Sequence, residues 1–368
     1  MGGRRTAAAA LLLGGALSAC SATRAASPPA TTLPPATPSL VATSTPKSTP
    51  PPRGSITLAF AGDVHIEGQI RQRFLHDPDL RSGKTTLFDD VRPVLAGADL
   101  AIVNLETAVT DRGTPADKEY VFRAPAGVFT HLMRGGLDVA SLANNHGVDF
   151  GQIGLADTLA AARSAGFRGL IGAGRDEEAA FAPYRVTVKG WRVAVIGATH
   201  VLDTSVADAW SAGLHKPGLA SAYHRARLLR EVRTTRQHSD TVVVYLHWGK
   251  EMTSCPTASQ RSLARDLVDA GADVVVGSHA HVLLGDGRLG RAYVAYGLGN
   301  FLFYAGGSGP TSQSEVLTLT VRGRHVLRAQ HTPVGVGGGR VHLLRGDTAD
   351  AARERIEALR SCTGLSAP

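Results

Sequence analysis

The first 54 residues contain no aspartate and no glutamate. The chain has only three cysteines, no internal repeat, and an N-terminal apolar run too short to span a bilayer comfortably. Each shortage excludes something. The acid-free segment carries Arg4, Arg5, Arg24, Lys47 and Arg53, so five of the eight net positive charges lie there and +3 remains for the rest. That remainder is ordinary for a domain of this size, and a nucleic-acid partner is discarded. A weak preference for an anionic membrane or polymer is all the charge supports. The short run fits a secretory signal, MGGRRTAAAALLLGGALSAC, better than a membrane-spanning helix. Gly2 as a myristoylation site fits the following residues less well, and Arg4-Arg5 lacks the rest of a twin-arginine motif.

Leu17-Ser18-Ala19-Cys20 resembles a bacterial lipobox, which implies lipidation of Cys20 and an exported protein on the outer face of the cytoplasmic membrane. Residues 21–54 are Ala, Ser, Thr and Pro with almost no large apolar residue. Such a segment buries too little surface to offset its ordering entropy and reads as an extended tether. With Cys20 assigned to lipid, Cys255 and Cys362 remain in an oxidising compartment, either as a disulfide beside the site or as two free thiols.

From Ser55 onward, short apolar runs alternate with helical stretches. ITLAFAGD, DLAIVNLE, LDVASLANN, GLIGAG, TVVVYLHWG, ADVVVGSHAH and RAYVAYGLGNFLF read as strands. Several are continuously apolar, as for strands covered on both faces. GQIGLADTLAAARSAG and SQRSLARDLVDAG read as helices stopped by glycine. YRVTVKGWRVAVIGA reads as a hairpin and EVLTLTVRGRHVLRAQHTPV as another antiparallel pair, so the sheets are mixed. Residues 55–345 number roughly 290, which fits one α/β domain or two. Residues 346–368 supply an amphipathic helix and tail that dock on the body.

Polar residues recur where apolar strands end, the position at which α/β sheets bind ligands. The five ends deliver Asp63 and His65; Asn104 and Glu106; Asn144, Asn145, His146 and Asp149; His247; and His279 with His281. Any one of these alone is an ordinary turn former, and Asn144-Asn145 alone fits left-handed turn geometry. Four of the five carry histidine, and together they offer the nitrogen and oxygen donors suited to Zn, Mn or Fe. In Asp-x-His and His-x-His, an extended backbone places both side chains on one side.

AGDVHIEG, NLETAVT, SLANNHGVDFG, LHWGKE, GSHAH and YGLGNFLF, in that order, resemble the motif series of the CapA family. That family is associated with capsule and poly-γ-glutamate synthesis and belongs to the calcineurin-like metallophosphoesterase superfamily. The resemblance spans about Gly54 to Phe303 and implies a four-layer αββα sandwich with two mixed β-sheets. It implies a centre of two divalent ions held by Asp63, His65, Glu106, Asn145, His247, His279 and His281. Glu106 stands where the superfamily has an aspartate, Ser278 where relatives often have histidine, and Ala280 where CapA proteins often have proline. Divalent ions of this kind acidify water and polarise the attacked group. In the superfamily the Asn-His pair divides its duties, so His146 is a candidate general acid or orienter, with Asp149 orienting it. Glu251 reads as an acid, a substrate contact or a helix N-terminal charge. Lys118 and Arg123 in KEYVFRAP read as contacts to an anionic substrate or as a solvated loop face. Asn104, Asn144 and Asn300 are further candidate substrate contacts, Asn300 alternatively a turn cap.

The function this implies is a metal-dependent hydrolase of cell-envelope polymer, cleaving a phosphoester or a γ-glutamyl amide. A second reading is a non-catalytic accessory that binds and guides anionic polymer during export, and a third is a phosphatase unrelated to capsules. The implied partners are the anionic polymer or its precursor, the membrane through Cys20, and a membrane synthase complex.

Overall fold

The computed structural model describes residues 53–304 and 308–368. The leader, Cys20 and the tether up to residue 52 lie outside the described residues. Two mixed sheets face each other. The first runs, in spatial order, Arg340–Leu343, His325–Gly337, Gln313–Arg322, Ile56–Val64, Leu100–Leu105, Val139–Ser141 and Leu170–Ile171. The second runs Leu283–Leu289, Ala292–Leu298, Val274–Ser278, Thr241–His247, Trp191–Thr199 and Tyr184–Val188. In the first, the parallel strands run to one edge and the antiparallel ones lie on the other side; in the second, parallel central strands are flanked by antiparallel ones.

Side-chain alternation sorts each strand's residues between two cores. Leu58 and Phe60 point between the sheets, where they meet Val243, Tyr245 and Val276. Ala59 and Ala61 point outward, into a layer holding Ile70, Phe74, Phe129 and Leu132 from helices Gly68–His76 and Val128–Arg134. On the other side Val242, Val244 and Leu246 pack against Leu228, Val232, Leu263 and Leu267 of helices Arg225–Gln237 and Ala258–Ala270. Two helix layers thus enclose two sheets, the αββα arrangement expected. The Tyr245 hydroxyl donates to the carbonyl of Ala61 at 2.6 Å and ties the sheets together near the ends of their parallel strands.

Both antiparallel pairs form as expected, Tyr184–Val188 with Trp191–Thr199 and Gln313–Arg322 with His325–Gly337. The stretch 291–303, expected as one strand, is two. Ala292–Leu298 belongs to the second sheet, whereas Asn300–Leu302 pairs in parallel with Ile56–Val64 in the first. The hinge is Gly299, whose φ of 68° lies in the left-handed region open to glycine. GLIGAG divides likewise at Gly172, and only Leu170–Ile171 joins the main sheet.

The described residues form one compact unit. Its first described residues are held: Arg53 lies over the Trp191 ring and Gly54 accepts from the Trp191 indole at 2.6 Å. Helix Gly346–Ala358 buries Ala349, Ala352 and Ile356 against the body. Cys255 and Cys362 are joined as a disulfide. Among the described residues no helix is long and apolar enough to cross a membrane.

Candidate metal centre

The ends of the central strands of both sheets converge on one spot. Asp63 lies at the end of Ile56–Val64, Glu106 follows Leu100–Leu105, His247 closes Thr241–His247, and His279 and His281 follow Val274–Ser278. Backbone bonds hold these ends in place. The Glu106 N–H donates to Val64 O at 2.7 Å and the Asp63 N–H to Gly299 O at 3.0 Å.

The strand ends at Ser278, and the HAH part of GSHAH is not extended, contrary to the sequence reading. His279 and His281 have φ of 97° and 57°, uncommon for residues with a Cβ. A side-chain alternation argument therefore does not apply. The pair converges because the backbone coils there, at a cost of order 1–3 kcal/mol per residue. Neighbours hold the coil: the His279 N–H donates to Asp63 Oδ2 at 3.1 Å, and the Ala280 carbonyl accepts from the Met252 N–H at 2.9 Å.

At the centre lies Glu106 Oε1. It is 3.6 Å from His247 Nε2, 3.8 Å from His146 Nε2 and 4.0 Å from His281 Nε2. The residue is fully buried and this oxygen has no hydrogen-bond partner, a costly state unless something positive completes it. Two groups of side chains present donor atoms close enough to share an ion: Asp63, Glu106 and His247, and Glu106, His279 and His281. Glu106 is common to both. Asn145 Oδ1 faces His247 Nε2 at 2.8 Å, which adds an oxygen donor to the first. This set of carboxylate, amide and imidazole fits a divalent ion.

His65 belongs to neither of these two donor groups. Its Nε2 accepts the Tyr304 backbone N–H at 2.8 Å, and its ring lies flat on Phe303 at 3.8 Å with the edge of Phe122 beside it. With Nε2 engaged in this way, Nδ1 is the nitrogen left over, buried and without a hydrogen-bond partner. A register shift between Asp63 and Val64 breaks the alternation that would have paired His65 with Asp63.

Asn104 and Asn144 are likewise not substrate contacts. Both are fully buried beneath the donor groups. Asn104 donates to Asp63 Oδ1 at 2.8 Å and lies 3.2 Å from His247 Nδ1, while Asn144 donates to Asn104 Oδ1 at 3.0 Å. They orient the donors. Ser278 joins them, with Oγ 3.2 Å from His247 Nδ1.

His146, Asp149 and Lys118 form a second buried group. Asp149 Oδ2 lies 2.7 Å from His146 Nδ1 and also accepts the Phe122 N–H at 2.6 Å. Lys118 is not on a solvated face: its ammonium lies 3.0 Å from Asp149 Oδ1 and donates to the Asn145 carbonyl at 2.5 Å. Arg123 turns away from the site, with its guanidinium 3.7 Å from the centre of the Phe150 ring. Asn300 Oδ1 accepts from His281 Nδ1 at 2.9 Å and its amide nitrogen donates to Thr311 O at 3.0 Å, so it positions His281 while lining the cavity. Glu251 stands exposed at the cavity wall.

Electrostatics follow from this packing. Burial works against Asp63, yet the contact with His281 and the neighbouring His247 hold its carboxyl well below the usual carboxylate range. Glu106 is pushed far up by burial and by Asp63. Burial pushes His247 well down and His279 down to about 3, which leaves both as neutral imidazoles able to donate a lone pair.

The centre opens into a cavity of about 510 Å³ bounded by Lys118, Tyr120, His146, Glu251, His281 and Tyr304 among others. Sequence reasoning missed its aromatic wall. Tyr120 and Phe122 flank the quoted Lys118, and Phe303 and Tyr304 close the last motif, but isolated aromatics in loops give no periodic signal.

Residues 57–305 match the family described as bacterial capsule synthesis protein PGA_cap. The chain belongs to this family. Among relatives, the capsule biosynthesis protein CapA of Bacillus anthracis is 32% identical over 259 residues, 68% of this chain and 60% of that protein. The PGA biosynthesis protein CapA of Bacillus subtilis is 29% identical over 284 residues, 76% of this chain and 72% of that protein. The match thus spans less than two thirds of the Bacillus anthracis protein's length. A phosphatase of Mycoplasma pneumoniae has a related structure at a TM-score of 0.47 and 14% identity, with 77% of this chain and 94% of that one covered. Within the family's span lie all the donor residues named above.

Proposed function

We propose that this protein is an exported, lipid-anchored hydrolase that uses two divalent ions, drawn from manganese, iron or zinc, on a cell-envelope polymer. The observation that carries the reading is the buried, unpartnered Oε1 of Glu106, the carboxylate common to two donor groups beneath an open cavity. Asp63, Glu106, Asn145, His247, His279 and His281 are the residues to hold the ions. When bound, such ions supply Lewis acidity and acidify water near neutral pH. The chain's own residues do the rest. Asp149 keeps the His146 proton on Nδ1 and turns Nε2 toward the centre, where it takes or returns a proton at the reacting group. Phe122, stacked on His146 at 4.0 Å, and Phe303 keep water from the back of the site. The bond cleaved is a phosphoester or a γ-glutamyl amide, and Cys20 anchors the protein outside the cytoplasmic membrane.

Metal analysis by mass spectrometry on the purified chain, beside His279→Ala/His281→Ala, tests the centre. Near-stoichiometric metal, lost in the variant together with hydrolysis of a phosphoester or γ-glutamyl substrate, supports the reading. Absence of metal even after reconstitution overturns it in favour of the polymer-guiding accessory. Mass spectrometry of the mature N-terminus tests lipidation at Cys20.

A further inference from the structure

Three carboxylates stand around the cavity: Glu119, Asp203 and Glu251, all exposed. Lys118 is the one Lys or Arg among the described lining residues, and it is engaged by Asp149 at 3.0 Å and Asp203 at 3.9 Å. Neither Glu119 nor Glu251 is ion-paired among the described residues. Between them lie aromatic faces, Tyr120 at 53% and Tyr304 at 39% exposure. Both carboxylates line the same cavity as these two rings.

At the floor, the unpartnered Glu106 Oε1 lies within 4.0 Å of Nε2 of both His146 and His281, which line the same cavity. Two divalent ions there outweigh the charges of Asp63 and Glu106, so the loaded floor is positive and the mouth negative. The interior of a polyanion does not match this field, because its neighbouring carboxylates would face Glu119 and Glu251. An anionic group with an ammonium beside it does match. The anion sits on the floor, and the ammonium meets carboxylates and tyrosine faces at the mouth.

We propose that the cavity selects a chain end carrying a free ammonium group beside the reacting carboxyl or phosphoryl group, with Glu119, Glu251, Tyr120 and Tyr304 as the selecting residues. The inference rests on the hydrolase reading and deepens it: the enzyme works from an end of its polymer, not within it.

The test uses the full-length chain in detergent, loaded with manganese and assayed for metal content. The probes are a γ-linked glutamate dipeptide and phosphoethanolamine, each free and N-acetylated, with binding read by calorimetry and cleavage by product analysis. The free amines should bind at least about tenfold tighter than their acetylated forms. Glu119→Gln/Glu251→Gln should abolish that preference while retaining its metal. Equal or tighter binding of the acetylated probes overturns the inference, as does a preference that survives the double substitution, or no binding of any probe to the loaded protein. Hydrolysis of free and acetylated probes alike keeps the hydrolase and removes the chain-end selection. A chain that takes up no metal removes the hydrolase reading itself.

Discussion

Oε1 of Glu106 lies 3.6 Å from Nε2 of His247, buried, with no hydrogen bond to satisfy it. Because Glu106 also belongs to the group formed with His279 and His281, the two donor groups meet at one carboxylate. Substitution at a shared donor and at an unshared one should therefore differ. Glu106→Ala is expected to lose both ions and His247→Ala one, as read by metal-to-protein ratio. Equal losses in the two variants would contradict the shared carboxylate.

His146 is held by Asp149 and is assigned proton transfer, not metal retention. His146→Ala should lower kcat by about 10²–10⁴ with metal content unchanged. Asp149→Ala goes further, because Lys118, with only 13% of its side chain exposed, loses its carboxylate. That variant should lose about 3–5 kcal/mol of stability by denaturant unfolding.

The positive φ of His279 sets stability against function. In metal-free protein, His279→Gly should be more stable than His279→Ala by about 1–2 kcal/mol, since glycine occupies that backbone region without strain. Both variants should lose metal. Equal melting temperatures under chelation would show that the backbone relaxes.

The Cys255–Cys362 bridge closes a separation of 107 residues and fastens the C-terminal segment to the loop following His247. Its loss in Cys255→Ala/Cys362→Ala should cost about 2–5 kcal/mol. Thermal unfolding with and without reductant checks this: reductant should lower the midpoint of the wild type and leave the variant's unmoved.

Away from the site, His331 lies 2.6 Å from Glu315 on the neighbouring strand and 3.6 Å from Asp286 of the other sheet. Burial opposes its charge, but the two carboxylates raise it to about 9. A histidine raised in the folded state adds stability that is full below its unfolded pKa of about 6.5 and lost as pH climbs through the folded value. The melting temperature should therefore fall between pH 6.5 and about 9, and His331→Gln should flatten that decline. A parallel decline in the variant would place the titration elsewhere.

The mixed sandwich was legible in the sequence because strands covered on both faces are written as unbroken apolar runs such as TVVVYLH, and because glycines and the Lys189-Gly190 turn punctuate them. Recurrence of donors at strand ends likewise picked out Asp63, Glu106, Asn145, His247, His279 and His281, since the residues at the ends of neighbouring strands must lie near each other. Tertiary structure decided what those donors face. His65 matches a ligand motif by spacing, yet Tyr304, 239 residues away, supplies the backbone N–H that occupies its Nε2. Lys118 reads as a loop lysine until Asp149 is folded against it, and Asn104 and Asn144 read as contacts until burial puts them beneath the site. Local pattern specifies which residue types reach a strand's end; which atom of each is left free depends on partners remote in the chain, and only packing selects those.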